Sequence, residues 1–127
     1  MTNILIIDDE VDIAKNISAI LTDENYQTYK ASNSDQAFDL ISMYKFDLII
    51  LDVWLDNSKL DGLEILKEIR KKESLPIIVI SGHGNIEMAV QAIKEGANEF
   101  IEKPFTSERL VLSVNRSIEM SIIKNEN

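Results

Sequence analysis

With 22 acidic against 13 basic residues in a chain of 127, the formal charge is −9. That balance argues against a broad phosphate-tracking surface, because nucleic-acid binding relies on Lys and Arg displacing counterions, so this chain alone is not expected to bind DNA. The length fits one domain able to bury roughly two-thirds of its unfolded surface; the apolar runs fall far short of the ~20 residues of a membrane span; and with no cysteine neither a disulfide framework nor a thiolate site is available, as suits a cytoplasmic setting.

In chain order, two periods alternate. Asn3 to Ile7 is an unbroken aliphatic run, a buried strand, followed by Val11 to Glu24 with Val11, Ile13, Ala14, Ile17, Ile20 and Leu21 as a stripe facing a sheet. Tyr26 to Ala31 is a more polar strand, expected at an edge, and Ser32 to Asp35 supplies helix-start signals before Ala37, Leu40, Ile41 and Tyr44. Asp47-Leu48-Ile49-Ile50-Leu51-Asp52 reads as a central strand buried on both faces, with Asp52 at its carboxyl end.

After a polar loop, Asp61-Gly62 precedes a helix from Leu63 to Lys72 with Leu63, Ile65, Leu66 and Ile69 buried. Pro76 to Ile80 is the fourth strand and ends in Ser81-Gly82-His83-Gly84. A helix from about Asn85 to Glu95 follows, where Ala89, Val90, Ala92 and Ile93 can pack, and Gly96 stops it. Asn98 to Ile101 is the fifth strand. Lys103-Pro104-Phe105 leads to a last helix from about Thr106, with Leu110, Val114 and Ile118 on one face. Residues 1–121 read as the domain and 122–127 as the start of a linker or a tail.

Five strands each followed by a helix make a doubly wound parallel sheet, a flavodoxin-like (βα)5 fold with strand order 2-1-3-4-5. The first and third strands meet at the topological switch point, so Asp8, Asp9 and Asp52 converge in one crevice. Three close carboxylates repel by roughly 4 kcal/mol per pair at an effective dielectric near 20, so a cation or a proton must relieve them. Hard oxygens without His or Cys suit Mg²⁺. Asp52 is the natural nucleophile, since carboxylates form aspartyl-phosphate intermediates. Ser81 and Lys103, at the ends of their strands, can bind oxygens of a transferred phosphoryl group.

Asp8-Asp9-Glu10, Leu51-Asp52, Asp61-Gly62, Ser81-Gly82 and Lys103-Pro104-Phe105 together resemble, in order and from end to end, the receiver domain of a two-component response regulator. Leu51 to Leu55, Ser81 to Glu87 and Phe100 to Phe105 resemble the NtrX branch of NtrC-class regulators.

The resemblance implies that a sensor histidine kinase supplies the phosphoryl group to Asp52. Mg²⁺ would be bound by Asp9, Asp52 and the Trp54 backbone carbonyl, with Asp8 acting mainly through a metal-bound water. Ser81 would turn to the phosphoryl group, Lys103 would pair with it, and Phe100 holds the position of the switch aromatic. The resemblance also implies a cis Lys103-Pro104 bond; by itself, an X-Pro bond in a folded protein is cis only roughly 5% of the time. The chain would be a phosphorylation substrate that assists its own phosphotransfer and autodephosphorylation rather than a turnover enzyme.

The fourth helix, fifth strand and last helix form the expected output surface, where another receiver copy or an attached domain binds, with Glu87, Gln91, Glu99 and Arg109 as exposed contacts. In NtrC-class proteins an ATPase and a DNA-binding domain follow; the chain is read as a fragment of such a protein, with a stand-alone receiver as the alternative.

The ten positions from Asp52 to Gly62 exceed the usual family spacing, and the customary proline is replaced by Leu55-Asp56-Asn57-Ser58. The Trp54 indole either covers the site or contacts a partner. His83, the sole histidine, lacks a second His or Cys for a transition-metal site; a milder role, modulating water access to the phosphoryl group, is a hypothesis that an unchanged autodephosphorylation rate in His83→Ala would remove. A flavodoxin-type cofactor binder needs a Ser/Thr/Gly-rich phosphate loop where Asp8-Asp9-Glu10 stands. A haloacid-dehalogenase-type phosphatase places its Asp nucleophile after the first strand in an Asp-x-Asp pattern that is missing here.

Overall fold

The computed structural model describes residues 2–53, 61–82 and 86–125, with side chains placed through residue 122. Five strands, β1 (Asn3–Ile7), β2 (Gln27–Ala31), β3 (Leu48–Asp52), β4 (Ile77–Ser81) and β5 (Glu99–Glu102), alternate with α1 (Val11–Asp23), α2 (Ser34–Met43), α3 (Gly62–Lys72), α4 (Ile86–Lys94) and α5 (Ser107–Asn125). All strand pairs are parallel in the order β2-β1-β3-β4-β5. The fold is the expected doubly wound sheet, and α5 runs past residue 121.

Why these residues form these elements follows from burial. Each residue of β3 and β4 is buried, as a strand covered by helices on both faces must be. β2, with its exposed Gln27 and Lys30, lies at the edge. Alternation splits the aliphatic residues between two layers. Leu5, Ile7, Ile49, Leu51, Ile77 and Val79 pack with Ala37, Ile65, Leu66, Ile69 and Ala92. On the other face, Ile4, Ile6, Leu48, Ile50, Ile78 and Ile80 pack with Ile17, Leu21, Leu110 and Val114.

Two stripes differ from the sequence reading. Val11 is exposed rather than facing the sheet, because it is the first residue of α1 and stands beyond the end of β1. In α4 only Ala92 is fully buried, while Val90 and Ile93 are about half exposed and Ile86 more so. The helix therefore rests on the sheet through Ala92 and the partly buried Met88 and leaves an i, i+4, i+7 aliphatic row outside.

The register places the site. Ile7 pairs with Leu51, so Asp8, the next residue, stands alongside Asp52, and Asp52 itself pairs with Ile80. Ser81 pairs with Glu102, and the Lys103 N–H donates to the Ser81 carbonyl at 2.8 Å. One crevice at the carboxyl edge thus receives residues from β1, β3, β4 and β5.

Candidate phosphoacceptor and metal site

Asp52 is 2% exposed at the end of β3. Its Oδ2 accepts from Lys103 Nζ at 2.9 Å, and the same ammonium lies 3.7 Å from Asp8 Oδ2. Lys103 reaches this point from the turn after β5, where its peptide bond to Pro104 is cis, as the resemblance implies.

Asp8 is as buried as Asp52. Its Oδ1 accepts the Glu10 N–H at 2.9 Å, while its Oδ2 is buried without a hydrogen-bond partner among the described residues. Burial, then the neighbouring Asp52 charge, push its carboxyl up to about 7, against the opposing Glu10 N–H and Lys103 charge. For Lys103, burial favours the neutral amine, but the hydrogen bond and charge of Asp52, with Asp8 and Glu10, outweigh it and hold the ammonium above its ordinary range.

Ligand atoms of Asp8, Asp9 and Asp52 lie within 4.8 Å of one another. A buried carboxylate oxygen lacking a hydrogen bond, beside two more hard donors, fits a divalent cation that prefers oxygen ligands, as Mg²⁺ does.

The other expected residues divide into three groups. Ser81 is fully buried and its Oγ has no hydrogen-bond partner among the described residues. Phe100 is half-buried and packs against the layer that includes Ala92. Trp54, His83 and the Leu55 to Ser58 stretch lie outside the described residues. On the expected output surface, Glu87 and Gln91 are exposed, and Gln91 Nε2 donates to Glu95 Oε1. Glu99 is not exposed as expected: its side chain is 15% accessible and pairs with both Arg109 and Arg116 of α5, and the Ser113 hydroxyl donates to it at 2.9 Å. The arginines recur seven positions apart on one face of α5, so their charges converge on one carboxylate of the adjoining strand.

Comparison with known proteins agrees with this arrangement: residues 4–115 match the response regulator receiver domain. The chain belongs to that family. Among its relatives, a putative NtrX-like response regulator of Rickettsia bellii is 47% identical over all of this chain and 27% of that protein. The nitrogen assimilation regulatory protein NtrX of Azorhizobium caulinodans is 47% identical over 98% of this chain and 28% of its own length. The crystal structure of the receiver domain of NtrX from Brucella abortus superposes with a TM-score of 0.90 at 50% identity, over 91% of this chain and 98% of that one. This receiver domain therefore spans about a quarter of the curated relatives it matches. No helix among its described residues is long and apolar enough to cross a membrane.

Two features of the site escaped the sequence reading. The hydrogen bond to Asp8 Oδ1 comes from the Glu10 backbone amide. Gly62 packs against the backbone of Val53, next to Asp52; the available signal was a glycine opening a helix where a better helix former would serve.

Proposed function

We propose that this receiver domain accepts a phosphoryl group on Asp52 from the phosphohistidine of a sensor histidine kinase. The observation that carries this reading is the buried Asp52 carboxylate beside Asp8 and Asp9, with a lysine ammonium 2.9 Å away.

In the transfer, an Asp52 oxygen forms the new bond to phosphorus as the phosphorus–nitrogen bond of the donor breaks. Lys103, already bonded to Asp52 Oδ2, exchanges part of that contact for a phosphoryl oxygen and offsets its charge. Ser81, whose hydroxyl has no partner among the described residues, donates to another phosphoryl oxygen. Asp8, Asp9, Asp52 and the Trp54 carbonyl would hold Mg²⁺, which supplies positive charge to the phosphoryl oxygens. Positioning and electrostatics are the domain's contribution; no separate acid or base is needed.

The switch follows from contacts that only the phosphorylated state makes. Movement of Ser81 toward the phosphoryl group and repacking of Phe100 would alter α4, β5 and α5. Turning a 1:99 equilibrium into 99:1 takes about 5.5 kcal/mol, within reach of a few charge-assisted hydrogen bonds. The exposed row of Ile86, Val90 and Ile93 supports α4-β5-α5 as the surface that meets a second copy. In the full-length protein, a linker following α5 would join the receiver to ATPase and DNA-binding domains that control transcription in the cytoplasm.

The test is incubation with acetyl phosphate and Mg²⁺ followed by intact-mass measurement. Wild type gains ~80 Da and Asp52→Asn does not, as an aspartyl phosphate requires. No gain in a protein shown to bind Mg²⁺ overturns the reading.

A further inference from the structure

Helix α3 opens on Gly62 without needing glycine for its backbone angles, since Gly62 is not in the left-handed region. Space is what excludes a side chain. A Cβ there would lie 2.2 Å from Val53 Cα, 2.6 Å from the Val53 carbonyl carbon and 2.7 Å from the Asp52 carbonyl oxygen. All three are backbone atoms of the strand end that carries the phosphoacceptor, so no rotamer change relieves the overlap.

The contact is fastened on each side. The Gly62 N–H donates to the Val53 carbonyl at 3.3 Å, and the Val53 N–H donates to the Ile80 carbonyl of β4 at 3.1 Å. Asp61 caps α3 by accepting the Glu64 N–H at 2.9 Å, which fixes where the helix starts. Val53 is therefore held between β4 and the first turn of α3, one residue beyond Asp52.

We infer that Gly62, seated by the Asp61 cap, is a positioning residue: its missing side chain lets α3 abut the Asp52–Val53 backbone and so sets where the Asp52 carboxylate stands for metal and phosphoryl group. This rests on the phosphoacceptor reading of Asp52.

The experiment is Gly62→Ala in this domain, with Ile65→Val as the comparison, because Ile65 is fully buried in α3 and shortening it loosens the helix without inserting an atom against the Val53 backbone. In the metal-free protein, amide exchange followed by NMR shows the Val53 N–H of Gly62→Ala exchanging at least tenfold faster than in wild type. An Mg²⁺ titration read by amide shifts shows the dissociation constant rising at least fivefold, and acetyl phosphate labels Asp52 at least tenfold more slowly. Ile65→Val stays within twofold of wild type in all three. A folded Gly62→Ala with wild-type Mg²⁺ affinity and labelling overturns the inference, as does an equal loss in Ile65→Val.

If Gly62→Ala does not fold, Asp61→Ala decides, since it frees the start of α3 without inserting an atom against Val53. At least a threefold loss of Mg²⁺ affinity supports the inference, and unchanged affinity overturns it. A wild-type domain that neither binds Mg²⁺ nor takes up phosphate overturns the phosphoacceptor reading instead, so the two failures are told apart.

Discussion

The Lys103 ammonium donates to Asp52 Oδ2 at 2.9 Å although the two residues are 51 positions apart. With Asp8 Oδ2 at 3.7 Å from the same nitrogen, one lysine serves as the cation for two buried carboxylates in the metal-free protein. Lys103→Met therefore removes the ammonium from Asp52 and destabilises the metal-free domain by roughly 1–3 kcal/mol, the cost of taking a charged donor from a buried carboxylate. Mg²⁺ restores most of this and binds Lys103→Met more tightly than wild type, because the ammonium no longer competes. Urea unfolding with and without Mg²⁺ checks both; weaker Mg²⁺ binding in the variant would contradict the competition.

The raised Asp8 carboxyl makes stability depend on pH. Its value of about 7 in the folded protein exceeds its ordinary 3.8, so between those values the folded state keeps a proton that the unfolded chain has released. Stability from this group is complete at the acid end of that window and is lost as pH rises to about 7. Coupling of Asp8 to Asp52 and Lys103 leaves the effect on the order of a few kcal/mol. Asp8→Asn flattens this slope in metal-free chemical denaturation. The apparent Mg²⁺ affinity of wild type rises over the same interval, because the metal needs the ionised carboxylate.

Arg70 joins three parts of the chain far from the site. Its guanidinium donates to the carbonyls of Gly96 and Leu75 at 2.8 and 2.6 Å and to Asn98 Oδ1 at 2.7 Å, and Asn98 Oδ1 also accepts the Ile77 N–H. Arg70→Ala costs about 2–3 kcal/mol, since several acceptors lose a charged donor together. Arg70→Lys recovers little, because one ammonium cannot reproduce the planar fork. Denaturant midpoints of the three proteins test the order; a lysine variant as stable as wild type contradicts it.

On α4 the outward row and the buried position respond differently. Val90→Glu changes the unfolding free energy by less than about 0.5 kcal/mol, as an exposed substitution does, whereas Ala92→Leu costs about 1–3 kcal/mol by overpacking the one fully buried contact of the helix. Thermal unfolding ranks them, and a costly Val90→Glu would place that side chain inside.

The sequence by itself determined the order and type of all ten elements, because aliphatic runs, helical stripes and caps such as Asp61 are local in origin. It also determined which residues meet: once β1 and β3 are neighbours in a parallel sheet, Asp8 and Asp52 share an edge whatever the helices do. Tertiary structure decided the rest. Periodicity marked Val90 and Ile93 for packing, but α4 sits on the sheet through Ala92, since periodicity records that a face is apolar and not which part of it finds a neighbour. Glu99 looked like a surface charge until Arg109 and Arg116 of α5 closed over it. The raised Asp8 carboxyl and the lack of room for a side chain at Gly62 both arise from the packing of separate elements, through burial and backbone contact, and these are quantities that no local pattern carries.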